Sequence, residues 1–99
     1  MRFFPAAFVA TVAATSPVLA ASPDAWDAFR KEVGAACIAA AAPLIENAAA
    51  DVDPFGSESY GLALVRGKAK GADTEIRTIC VFDKKTKAVE IGGELPAAE

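Results

Sequence analysis

The spacing of apolar residues changes partway along this chain, and that change constrains the fold more than any other feature. From Trp26 the positions Phe29, Val33, Cys37, Ala40 and Leu44 recur at steps of three and four, the period of a helix with one buried stripe. From Tyr60 onward the period is two. Gly61, Ala63 and Val65 alternate with Tyr60, Leu62 and Leu64, while Ile76, Thr78, Cys80 and Phe82 alternate with Glu75, Arg77, Ile79 and Val81. Such a chain has to lay one amphipathic helix across a sheet.

The ends of these elements are marked. Ser22-Pro23-Asp24 combines a serine N-cap, proline in the first turn and acids at Asp24 and Asp27 facing the positive end of the helix dipole. Arg30 and Lys31 lie off the apolar stripe. Alanines from Ala35 to Ala42 favour helix and permit close approach of a neighbour. Pro43 predicts the end of the helix, with Leu44 to Ala50 adding a turn or two beyond it. Asp51 to Ser59 reads as loop from Pro54, Gly56, Ser57 and Ser59. Strands are predicted over Tyr60 to Lys70, Thr74 to Phe82 and Ala88 to Ile91, joined by turns at Gly71-Ala72-Asp73 and Asp83 to Lys87. Residues 94–99 read as a flexible tail. The expected fold is α+β: an N-terminal helix packed on a three- or four-stranded antiparallel meander.

Residues 1–21 read as a secretory signal peptide. Arg2 is the only charge before Asp24, an apolar run extends from Phe3 to Leu19, and small residues follow at Ala20 and Ala21. A membrane anchor needs about 20 apolar residues, whereas Pro5, Thr11, Thr15, Ser16 and Pro17 interrupt this run. No transmembrane anchor is therefore expected after cleavage. One small domain is expected over residues 22–93, in the periplasm or outside the cell. A core of this size is marginal on burial alone. Cys37 and Cys80 both fall within it, and two cysteines in an oxidising compartment permit one intramolecular bridge. That bridge would close a loop of about 44 residues, worth about 4 kcal/mol in the chain-entropy model. With no histidine in the chain, a zinc site would need carboxylates to complete it. Neither metal nor cofactor is expected.

Charge and composition narrow the function. All thirteen acidic residues lie after the leader and Arg2 lies within it, so cleavage makes the chain one unit more acidic than its full-length net charge of −3. This argues against a general nucleic-acid binder. The missing histidine removes Ser-His-Asp and Cys-His catalysis. Gly61 to Lys68 has five residues between its glycines and an alanine after the lysine, so it is not a phosphate loop. Asp51, Asp53 and Gly56 fit the first, third and sixth positions of a calcium loop, but Phe55 and Leu62 stand where further ligands are required. Two groups of candidates are left. Arg66, Lys68 and Lys70 share one strand face, and with Lys84, Lys85 and Lys87 they would make a basic patch for an anionic envelope polymer. The alternative is a solvated strand whose lysines guard an edge. Glu58 and Tyr60, with Glu46, Asp51 and Asp53 near by, would line a cleft for carboxylate acid–base work, or serve only as turn residues. Trp26 reads as a packing anchor.

Two resemblances follow from these segments. Tyr60-Gly61-Leu62-Ala63-Leu64 and Ile79-Cys80-Val81-Phe82-Asp83-Lys84-Lys85-Thr86-Lys87 resemble small uncharacterised exported proteins of alphaproteobacteria, which implies a periplasmic home and no particular activity. The segment from Val81 to Val89 is also similar to the hairpin of PepSY-type domains, secreted modules with a helix on an antiparallel sheet, some of which are thought to restrain peptidases. Lys87 stands where that hairpin usually has glycine. The expectation is a non-catalytic module that masks or inhibits another envelope protein. The rivals are an anionic glycan or lipid binder using the basic residues and, third, a carboxylate-dependent hydrolase using Glu58. An exposed sheet edge would also permit a homodimer.

Overall fold

In the computed structural model, which describes residues 22–97, helix α1 (Pro23–Ala41) precedes strands β1 (Ile45–Val52), β2 (Tyr60–Ala69), β3 (Glu75–Asp83), β4 (Val89–Ile91) and β5 (Leu95–Pro96). The proposed signal peptide, residues 1–21, lies outside the described residues. Among those residues, no helix is long and apolar enough to cross a membrane. The helix starts where its cap predicts: the Ser22 Oγ accepts the Ala25 N–H at 3.1 Å. It stops one residue before Ala42, and Pro43 follows.

All the strand pairings are antiparallel, in the order β1-β2-β3-β4, with β5 also pairing to β3. Leu44 to Ala50 does not continue the helix. Most of it belongs to β1, which takes up residues also assigned to the loop. Alanines at Ala48, Ala49 and Ala50 favour helix locally, and pairing with β2 overrides that preference. The register of β1 slips between Glu46 and Ala49, where Asn47 adopts φ 54°. Asparagine tolerates this left-handed conformation better than most residues. Gly67 lies opposite the bulge, where a Cβ would come within 2.6 Å of the Ile45 Cγ2 and 2.8 Å of the Glu46 carbonyl oxygen. Leu95–Pro96, expected within the loose tail, instead pairs with Ile76 and Arg77 of β3.

The alternation in β2 and β3 divides the sheet into two faces. The inner face carries Ala63, Val65, Ile76, Cys80 and Phe82 against Val33, Cys37 and Ala41 of α1. Thr78 is also fully buried, and its hydroxyl donates to the Gly92 carbonyl at 2.8 Å, fixing the segment after β4. Helix and sheet approach closely because Gly61 has no side chain. A Cβ there would lie 2.6 Å from Val33 Cγ2 and 3.2 Å from Phe29 Cζ. In the middle of this contact Cys37 and Cys80 form a disulfide with their Cα atoms 5.9 Å apart, both fully buried.

The β3–β4 turn is built on Asp83, whose carboxylate accepts the backbone N–H groups of Lys85 and Thr86. Lys87 then takes φ 69°, a left-handed conformation that favours glycine. For an L-residue this costs roughly 1–2 kcal/mol.

Two stability changes follow from this packing. Replacing both cysteines by alanine lowers unfolding free energy by about 4 kcal/mol, measured by urea titration against the oxidised protein. Gly61→Ala forces Val33 and Phe29 apart and costs about 1–3 kcal/mol; an unchanged urea midpoint would contradict the close contact.

Candidate functional site

The face of the sheet turned away from α1 is apolar at its centre. Leu62 stands opposite Val81 and Leu64 opposite Ile79, and these four point outward because their neighbours in sequence fill the core. Ile79 is 51% exposed and Tyr60, at the end of the same row, 43% exposed. Leu95 lies opposite Arg77 and extends the row.

Charged residues flank this centre at both ends. Arg66 and Arg77, directly paired across β2 and β3, stand at one end. Arg66 holds Asp51 of β1 through its Nε at 2.9 Å, and Arg77 donates to the Pro96 carbonyl at 3.0 Å. At the other end Tyr60, Val81, Asp83, Ala88 and Glu90 line a depression of about 200 Å³. A broader one of about 520 Å³, bounded by Glu58, Ser59, Tyr60, Asp83, Lys84 and Lys85, adjoins it. Glu58 and Tyr60 thus meet Asp83, together with Lys84 and Lys85, at this end of the outer face.

The six candidate basic residues do not come together. Lys68 pairs with Glu75 at one end of the β2–β3 ladder, whereas Lys84 follows Asp83, the partner of Tyr60, at the other. Within the first group Arg66 binds Asp51, Lys68 binds Asp73 at 3.0 Å, and the Lys70 ammonium donates to the Ala42 carbonyl at 3.2 Å. In the second, Lys84 donates to the carbonyls of Phe55 at 3.0 Å and Ser57 at 2.7 Å, and Lys87 binds Glu32 of α1 at 2.7 Å. Lys85 is exposed on the turn.

Those lysine contacts belong to an aromatic cluster that the sequence reading did not assemble. Trp26 packs edge-on to Phe29, with ring centroids 5.6 Å apart, and to Phe55 at 4.9 Å; Phe29 packs edge-on to Phe82 at 6.4 Å. The Lys84 ammonium lies 5.6 Å from the Trp26 centroid and 5.2 Å from that of Phe29. Arg30 completes the arrangement by donating to the Pro54 carbonyl at 2.9 Å while pairing with Asp27. Trp26 and Phe29 carried a sequence signal, being three residues apart on the helix stripe. Phe55 carried none.

Three carboxylates sit below their ordinary pKa of 3.8. The hydrogen bond from Arg66 lowers Asp51, and the backbone N–H groups of Gly56 and Phe55 lower Asp53. Those of Thr86 and Lys85 lower Asp83. A carboxylate held ionised in this way is poorly suited to general-acid chemistry near neutrality, so Asp83 is a weak partner for Glu58 in hydrolysis. The hydrogen bonds also occupy the two acids considered for calcium. Among the described residues no cluster of metal-ligating side chains assembles.

No family model, curated protein or solved structure matches this chain.

The lowered aspartates set a pH dependence. Their folded pKa values lie below the unfolded ones, so the unfolded chain binds more protons in acid, and the stability they contribute is lost as pH falls through the folded values. Urea midpoints should be flat from neutrality down to about pH 5 and fall below about pH 4. Asp83→Asn should shrink that acid limb; an equally steep limb in the variant would contradict the assignment.

Proposed function

We propose that this chain is a non-catalytic, disulfide-stapled binding module that works outside the cytoplasm by docking its outer sheet face on another envelope protein and masking it. The observation that carries this reading is the outward-facing apolar row between the arginine pair and the Asp83–Glu90 depression, in which Tyr60 and Ile79 are exposed and Leu62, Leu64 and Val81 half-buried. Contiguous apolar surface with a polar rim is typical of protein contact sites rather than of free surface. The partner fitting this face has an apolar centre, with polar groups at its rim to meet Arg77 at one end and Glu58 and Glu90 at the other.

The compartment belongs to the same proposal. It rests on the signal-peptide pattern of residues 1–21 together with the buried bridge, since disulfides persist in oxidising compartments. An anionic polymer is a poorer occupant. The basic residues lie at opposite ends of the sheet, and most are held by acids or carbonyl oxygens of the same chain.

Ile79→Asp tests the reading; it loses strand preference and the pair with Leu64, a cost of about 1–2 kcal/mol, so retention of the fold is checked by an unchanged far-UV circular dichroism spectrum. A photo-crosslinker at Val81, in native envelope, should yield one discrete protein adduct that persists at high salt and disappears with Ile79→Asp. A control crosslinker at Lys31 on the helix should not yield it. Equal adducts from both positions would contradict the reading. So would salt-steep retention on an anionic glycan that is lost in the Arg66→Ala, Lys68→Ala, Lys70→Ala triple variant.

A further inference from the structure

On the opposite side of the molecule, where α1 begins and the β3–β4 turn rises beside it, Ala25, Trp26, Phe29, Glu32, Phe82, Lys84 and Lys87 line a cleft of about 220 Å³. It shares neither the apolar row nor the arginines of the outer face. The walls are aromatic, and two ammonium groups stand over them. Lys84 lies above Trp26 and Phe29, and Lys87 lies 5.8 Å from the Phe82 centroid. From these we infer that the cleft is a binding site for a small apolar monocarboxylate, its hydrocarbon group on the rings and its carboxylate between Lys87 and Lys84.

Three observations carry the inference. The first is charge. The cleft lining sets two lysines against one carboxylate, Glu32, while Asp53, within Coulombic reach of Lys84, stands outside the lining. The second is donor capacity. An ammonium group has three N–H donors. Lys84 uses two on the carbonyls of Phe55 and Ser57, and Lys87 uses one on Glu32. Each lysine therefore retains a donor for an added carboxylate without giving up its present contact.

The third observation is backbone conformation. Lys87 sits at φ 69°, where glycine would be free of strain; what the lysine adds is its ammonium group, which meets Glu32 and the Phe82 ring at the cleft. Strained residues of this kind concentrate at ligand sites, and this one directs its ammonium to the cleft. The size of the space limits the ligand. About 220 Å³ is room for roughly seven water volumes, which suits one ring or a branched alkyl group.

Trp26 is the only tryptophan of the chain and lies in the cleft wall, so its fluorescence reports occupancy directly. The oxidised protein is titrated with phenylacetate and, in parallel, with phenylacetamide, which has the same ring and no charge. A saturable change with the acid that is at least about tenfold weaker with the amide is expected, the difference of one charge-assisted contact. Lys87→Gly removes the ammonium while relieving the backbone. It should retain or raise the melting temperature yet weaken phenylacetate by about tenfold, and Lys87→Arg should restore binding. Glu32→Gln, which removes the competing carboxylate, should tighten it several-fold. Equal responses to acid and amide, no saturable response, or wild-type affinity in Lys87→Gly would each overturn the inference. If a peptide ending in a free phenylalanine carboxylate binds while phenylacetate does not, the small-acid ligand is overturned in favour of a chain terminus. Ile79→Asp should leave the titration unchanged, so the docking reading and this one fail separately.

Discussion

The contact between α1 and the inner face of β2 and β3 is the constraint from which the rest of the structure follows. It is short on bulk: alanines on the helix meet Gly61 and Ala63 on the sheet, and sizeable apolar volume comes from Val33, Val65, Ile76 and Phe82, with the half-buried Phe29 beside Phe82 and Ile45 of β1 at the edge. A domain this small gains limited free energy from such a core. Cys37–Cys80 supplements it at the centre, joining the helix to the middle of β3. The bridge acts chiefly by restricting the unfolded chain. It lets the backbones come close without the large side chains that a sheet of this size would otherwise need on its inner face.

That arrangement frees the outer face. Because the core is closed on one side by helix and disulfide, Leu62, Leu64, Ile79 and Val81 are not needed for it, and they remain as a row of branched apolar side chains at the surface. Their exposure has a cost in solubility, moderated by the flanking ionic residues. The same pattern that stabilises the ladder, with β-branched and leucine pairs directly opposite one another, presents a flat and regular contact surface. The proposed masking function thus uses what the fold leaves unused.

Much of this was legible in the sequence for a physical reason. The helix, its cap at Ser22, its end before Pro43, the inward and outward rows of β2 and β3, and the Cys37–Cys80 pairing depend on local periodicity or on simple counting. Strand β1 was not legible, because Ala48, Ala49 and Ala50 carry no strand preference and the element exists only through its pairing with β2. The pairing of Leu95–Pro96 with β3 depends likewise on a contact distant in sequence. Grouping the basic residues failed on register: a row at the end of β2 and a turn after β3 look adjacent along the chain, yet an antiparallel ladder puts them at opposite ends. The aromatic cleft was hidden for a related reason. Phe55 is positioned by hydrogen bonds from Arg30 to Pro54 and from Lys84 to Phe55 and Ser57, between residues 24 to 29 apart in sequence.

The central claim, that the outer sheet face is covered by a partner in its native setting, is most directly tested by carbene footprinting of the protein in intact envelope and after purification. The account predicts that Tyr60, Leu62, Leu64, Ile79 and Val81 are labelled in the purified protein and protected in the envelope, while Lys31 and Ile38 on the helix are labelled equally in both. Equal labelling of the sheet row in the two states, or protection confined to the helix, would contradict it.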